Sequence, residues 1–183
     1  MKIEDLKKEL KECFKTAVRN ELNGIKHKGL LIKKPDIEEA KIYLEKAKRE
    51  LELCDFYKAK GFDYKLPEEW YYILYYCALA ILSKFGIESR SQKYTALFLQ
   101  YAREIGLIDY HYKYIEKIIA YHKKGEESDV DKREEARYGT LIKIEKIDEI
   151  YNDTTKLCKD AISQAEEIIF SNKELTVPNE LYK

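Results

Sequence analysis

Phosphate chemistry in proteins is commonly done by arginine with a proton-moving group beside it, and one segment of this sequence supplies both kinds of residue. It is Asp129 to Gly139, DVDKREEARYG. Arg133 and Arg137 stand four apart, so on a helix both guanidiniums project from one face. A pair so placed can grip a phosphate bidentately, which lysines do less well. Tyr138 follows at once and Gly139 ends the run. The same residues also read as an ordinary solvated helix. Asp129 lies four before Arg133, and Glu134 stands between the two arginines, which is ion-pair spacing on an exposed helix.

Other catalytic signatures are mostly missing. The sequence has no P-loop, no G-x-G-x-x-G, no nucleophile elbow and no H-E-x-x-H. His27, His111 and His122 lie far apart and share no ligand spacing; His111 and His122 read as solvated or half-buried helix positions. Cys13, Cys54, Cys77 and Cys158 form no C-x-x-C pair and have no His at zinc spacing. Cys54 and Cys77 fall inside apolar stripes, where cysteine serves as a small core residue. No metal and no cofactor are expected. The chain carries 34 Lys+Arg against 34 Asp+Glu, a balance that excludes strong non-specific binding to nucleic acid or membrane surfaces and leaves room for a small basic site. Its longest apolar run, Trp70 to Leu82, falls short of the ~20 residues of a membrane span. Lys and Glu recur from residue 2 onward, unlike a secretory leader. A soluble cytoplasmic protein is the expectation.

The elements that would position these residues are helices. Ile3, Leu6, Leu10, Cys13, Phe14, Ala17 and Val18 follow the three-and-four spacing of one helical stripe, which Asn23 and Gly24 end. The stretch Gly24 to Lys34 reads as a hinge. Asp36 can cap a second helix whose apolar face runs from Ala40 to Tyr57 and stops at Gly61. A third opens at Pro67 and ends at Gly86. It is apolar nearly all round, so it must be covered on both faces, as the centre of a bundle or at a subunit interface. A fourth helix is expected from Ser91 to Gly106 and a fifth from Asp109 to about Lys124. A short charged one follows over 128–138, and a long last one over 147–170. Apart from Thr140–Ile144 nothing alternates with a period of two. The fold class is all-α, an up-and-down bundle of six to seven helices. Residues 1–35 form an N-terminal helix and hinge, and 36–183 form the bundle.

Four stretches in this order resemble the HEPN domains of archaea and bacteria: EEAKIYLEKAKRELELCDFY, WYYILYYCALAILSKFGI, SRSQKYTALFL and KREEARYG. The resemblance covers roughly residues 36–170. It implies a HEPN-type bundle, a homodimer, and RNA or nucleotide association. Many family members are metal-independent endoribonucleases with an R-x(4–6)-H motif, in which Arg stabilises charge on the phosphate and His moves the proton of the attacking 2′-OH. Here Arg133 matches the motif Arg, but Tyr138 stands five residues on in place of His, and Gln92 stands where many relatives have another His. The candidate catalytic pair is therefore Arg133 and Tyr138, with Arg137 and Arg90 as phosphate- or RNA-binding residues. A tyrosine with a pKa near ~10 is a poor base at neutral pH. On a straight helix residues five apart point about 140° apart, so Arg133 and Tyr138 converge only at a helix end or across a dimer. The resemblance also implies a toxin–antitoxin partner of the minimal nucleotidyltransferase class, able to modify a HEPN tyrosine, here Tyr138. The alternative is a non-catalytic homodimeric helical module that binds such a transferase or another protein.

Overall fold

The computed structural model describes residues 2–119 and 147–182. Among them it has six α-helices: α1 (Ile3–Leu22), α2 (Ile37–Lys60), α3 (Leu66–Phe85), α4 (Gln92–Glu104), α5 (Tyr112–Ile118) and α6 (Ile147–Phe170). Two three-residue strands, β1 (Leu30–Ile32) and β2 (Ile87–Ser89), complete an all-α bundle with a single ribbon. Among the described residues no helix is long and apolar enough to cross a membrane.

The centre is α3. Pro67 sits in its first turn, Glu68 and Glu69 lie near its positive end, and Gly86 closes it in the left-handed conformation. Thirteen of its twenty residues are buried. The covering is supplied by α2, α4, α5 and α6, all of which pack on it. Its apolar faces are thus covered within the chain. Asp36 caps α2 by accepting a hydrogen bond from the Glu39 N–H at 2.8 Å. A tight turn through Gly61 and Asp63–Lys65 then folds α2 back on α3.

The N-terminal helix belongs to the same core. Leu6, Leu10 and Phe14 are buried with residues of every other helix, and α1 packs along α4. Phe98 of α4 takes Phe14 and Phe85 edge-on, with ring centroids 6.4 and 5.1 Å away. The stretch expected as a hinge is built otherwise. Leu30–Ile32 pairs antiparallel with Ile87–Ser89, Leu30 opposite Ser89 and Ile32 opposite Ile87. Strands of three residues are too short to leave a period-two signal in the sequence. Helix α5 ends at Ile118. The expected helix over 128–138 and the Thr140–Ile144 segment lie outside the described residues.

A polar junction at the end of α3 ties the bundle together. Lys84 is 5% exposed, and its ammonium donates to the carbonyls of Ile168, Ile169 and Ser171 at 2.7, 3.0 and 2.8 Å, and to Ser171 Oγ. These are the carbonyls that the end of a helix leaves without partners, and a cation there also suits the helix dipole. Burial pulls the Lys84 amine below the usual lysine range. Ser83 Oγ donates to Glu39 Oε2 at 2.8 Å, and the Ser83 carbonyl accepts from the Asp36 N–H at 2.9 Å. One turn of α3 therefore holds the start of α2 and the end of α6. Beyond α6, Leu175, Val177 and Leu181 are buried as well, and Glu180 accepts a 2.5 Å hydrogen bond from the Tyr101 hydroxyl.

Gly86 has φ +73°, and a Cβ there would come within 2.7 Å of the Lys33 oxygen and the Pro35 nitrogen; Gly61 shares the backbone conformation with open space around it. Left-handed backbone costs a residue with a Cβ about 1–2 kcal/mol, and at Gly86 the main chain must also move. Gly61→Ala should lower the melting temperature by ~3 °C and Gly86→Ala by ~10 °C or more, read by circular dichroism. Equal losses would contradict this packing.

Candidate functional site

Of the four arginine and tyrosine candidates, Arg133, Arg137 and Tyr138 lie outside the described residues. Arg90 lies within them, at the turn between β2 and α4. Its N–H donates to the Gly29 carbonyl at 2.9 Å, and its Nε donates to Glu88 Oε1 at 2.8 Å. The side chain keeps an exposed outer part, at 39% of its surface. Gln92 is the first residue of α4, one turn position beyond the Ser91 cap.

Glu88 is the hub of this cluster. His27 Nε2 lies 3.2 Å from its Oε1 and Lys33 Nζ 3.6 Å from its Oε2. A carboxylate only accepts, so Nε2 carries the histidine proton. The His27 backbone N–H donates to Glu21 Oε1 at 3.0 Å. His27 itself is 1% exposed, and its Nδ1 is buried without a hydrogen-bond partner. Burial works to raise the Glu88 carboxyl, but the hydrogen bonds from Arg90 and His27 outweigh it, and the net shift is downward. The cluster thus fastens the loop before β1 to β2 and to the turn that carries Arg90. Beside it, Ser89 Oγ lies 2.6 Å from Thr95 Oγ1, and Ser91 Oγ caps α4 by accepting from the Tyr94 N–H. Tyr75 shares hydrogen bonds with Thr95 and Ser89; burial nonetheless pushes its hydroxyl up.

A row of half-buried tyrosines leads away from this end along α2 and α3. Tyr43 stacks on Tyr76 with centroids 6.2 Å apart, and Tyr76 stacks on Tyr72 at 5.9 Å. Lys46 Nζ lies over both Tyr43 and Tyr76, 5.4 and 5.5 Å from the ring centres, within cation–π reach. At the far end Glu50 and Glu69 meet. The Glu69 carboxyl is pushed up to about 8, first by burial and then by the hydrogen bond it shares with Glu50. Two carboxylates in contact are not both ionised, so this pair holds a proton near neutral pH.

What these groups can do chemically is limited. His111 is used as a cap, its Nδ1 accepting from the Lys113 N–H at 3.1 Å. All four cysteines are free and buried. Burial pushes Cys13 up to about 11 and raises Cys54, Cys77 and Cys158 further, which suppresses the reactive thiolate. Among the described residues no three His, Cys, Asp or Glu gather in a way that could hold a metal. Comparison with protein-family models, with curated proteins and with solved structures finds no match. Sequence reading missed the His27–Glu88 contact and the Glu50–Glu69 pair, because each joins residues from separate elements with no spacing of their own to read.

Two pH dependences follow. Glu88, usual value 4.5, is lowered in the fold, so its contribution is present above pH ~4.5 and lost as pH falls through the folded value. Glu88→Gln should cost ~5 °C of melting temperature at pH 7, with the gap closing in acid; a gap unchanged at pH 3 would refute the assignment. Glu69 runs the other way. Its stabilisation is complete below pH ~4.5 and disappears as pH rises through about 8. Glu69→Gln, which mimics the protonated form, should match wild type at pH 5 and melt above it at pH 9, whereas parallel curves would show that no proton is held there.

Proposed function

We propose that the chain is a catalytically degenerate HEPN-type module: a cytoplasmic homodimer that engages a protein of the minimal nucleotidyltransferase class rather than cutting RNA. The observation that carries this reading is the fate of its described histidines. His27 is buried against Glu88 and His111 caps α5, so neither is free to move the proton of a 2′-OH. Tyr138 stands where the family's motif has its base, and losing a general base costs about 10²–10⁴ in rate. Four free, buried cysteines fit a reducing compartment. The described fold, an all-α bundle around a tyrosine-rich central helix, is of the class the resemblance implies.

The competing reading is a toxin-like, metal-independent endoribonuclease in which Arg133 and Tyr138 act on RNA held by Arg137 and Arg90. Mixed-sequence RNA incubated in EDTA with wild type and with Arg133→Ala decides between them. The proposal expects no cleavage above buffer from either protein at high concentration. Products ending in 2′,3′-cyclic phosphate that vanish in Arg133→Ala would overturn it and establish the ribonuclease.

A further inference from the structure

The last two turns of α1 and the turn after them present apolar side chains to solvent among cations. Lys15, Val18, Arg19 and Leu22 fall within about 100° of one another on the helix, opposite the buried Leu10, Cys13, Phe14 and Ala17. Val18 is 46% exposed and Leu22 82%. The helix then ends in a Schellman turn. The Ile25 N–H donates to the Asn20 carbonyl at 2.9 Å and the Gly24 N–H to the Glu21 carbonyl at 3.0 Å, with Gly24 at φ +70°. In such a turn an apolar residue in the place of Ile25 ordinarily packs back on the helix. Here the facing position is the polar Asn20, and Ile25 stays 56% exposed. Among the described residues nothing lies within 4 Å of a Cβ built on Gly24, so the turn projects from the bundle. It is held firmly from behind. The His27 N–H donates to Glu21 Oε1 at 3.0 Å, the His27 ring rests on Glu88, and the Leu30 N–H donates to Cys13 Sγ at 3.3 Å.

The charge around this tip is one-sided. From Lys15 to Lys34 the sequence has six Lys or Arg and a single acid, Glu21, although the whole chain is neutral. We propose that the tip docks on the surface of an anionic lipid bilayer. Leu22 and Ile25 enter the boundary between headgroups and acyl chains, and Arg19, Lys26 and Lys28 lie among the headgroups, their stems along the apolar tip. The occupant follows from the combination of features. Nucleic acid would call for aromatic side chains on which bases stack, and the tip has none. A folded protein would have to supply an acidic rim around an apolar pocket made to measure. A bilayer offers apolar interior directly beneath anionic headgroups, the same order as tip and ring. Because the turn is already fixed by its hydrogen bonds, docking orders little that was free. Because the chain as a whole is neutral, the attraction is local, and the binding is weak, reversible and lowered by salt. The inference does not depend on the partner proposed above.

Co-sedimentation of the full chain with vesicles tests it, using phosphatidylcholine alone and phosphatidylcholine with about one-third phosphatidylserine. Wild type should bind the anionic vesicles and not the neutral ones, and raising salt from ~0.1 to ~0.5 M should release it. The double variant L22S/I25S, at exposed positions, should keep the wild-type melting temperature and bind the anionic vesicles about tenfold or more weakly. K26Q/K28Q should lose about tenfold or more as well. Absence of binding to the anionic vesicles overturns the proposal, and so does vesicle binding that L22S/I25S leaves unchanged. Mixed-sequence RNA serves as the competing ligand. RNA binding that K26Q/K28Q weakens, with no vesicle binding, would assign these lysines to phosphates of nucleic acid and overturn the bilayer assignment.

Discussion

A helix apolar on every side can exist in water only if other elements surround it, and α3 imposes that demand on the whole chain. Its side chains from Leu66 to Phe85 face α2, α4, α5 and α6 in turn. Burying a residue such as Ile73 or Leu74 there contributes about 2 kcal/mol apiece, and cutting one back to alanine costs more because a cavity remains. α1 follows at one remove, packing on α4, which is itself buried from Thr95 to Ala102. Stability and arrangement thus come from one constraint.

The polar end of α3 converts that packing into a defined arrangement. Apolar burial alone lets helices slide, whereas hydrogen bonds fix register. Lys84 sets where α6 must stop, Ser83 sets where α2 must start, and Gly86 lets the chain turn into β2 against the Lys33–Pro35 backbone. From that turn the ribbon carries Glu88 and Arg90 to one end of the bundle, where His27 arrives from the other strand's side. The charged cluster is therefore positioned by the same few residues that close the core.

The helices were legible in the sequence because their signals are local. Asp36, Pro67, Gly61, Gly86 and Ser91 each mark an end by chemistry confined to one turn, and the structure ends or starts its helices there. The ribbon was not legible, since three residues per strand carry no periodicity and the pairing joins distant segments, Leu30 with Ser89 and Ile32 with Ile87. Lys84 lies in the last turn of its helix, where a lysine carries no mark of burial; only the arrival of α6 makes it a cap. The buried tail from Leu175 to Leu181 has too few apolar residues to announce itself. Of the candidate site, Arg90 alone falls among the described residues, and its pairing with Glu88 gives it a structural task that its position in SRSQ did not reveal.

In the proposed reading, function resides on the outside of a bundle whose core is shared by all six described helices. Its buried histidine and cysteines serve the fold. The central claim, that α3 organises everything else, is tested most directly by native-state hydrogen exchange. Amides from Ile73 to Leu82 should be the slowest in the chain, all exchanging with the free energy of global unfolding. Exchange of α3 ahead of α2 or α6, at a lower opening free energy, would contradict the claim.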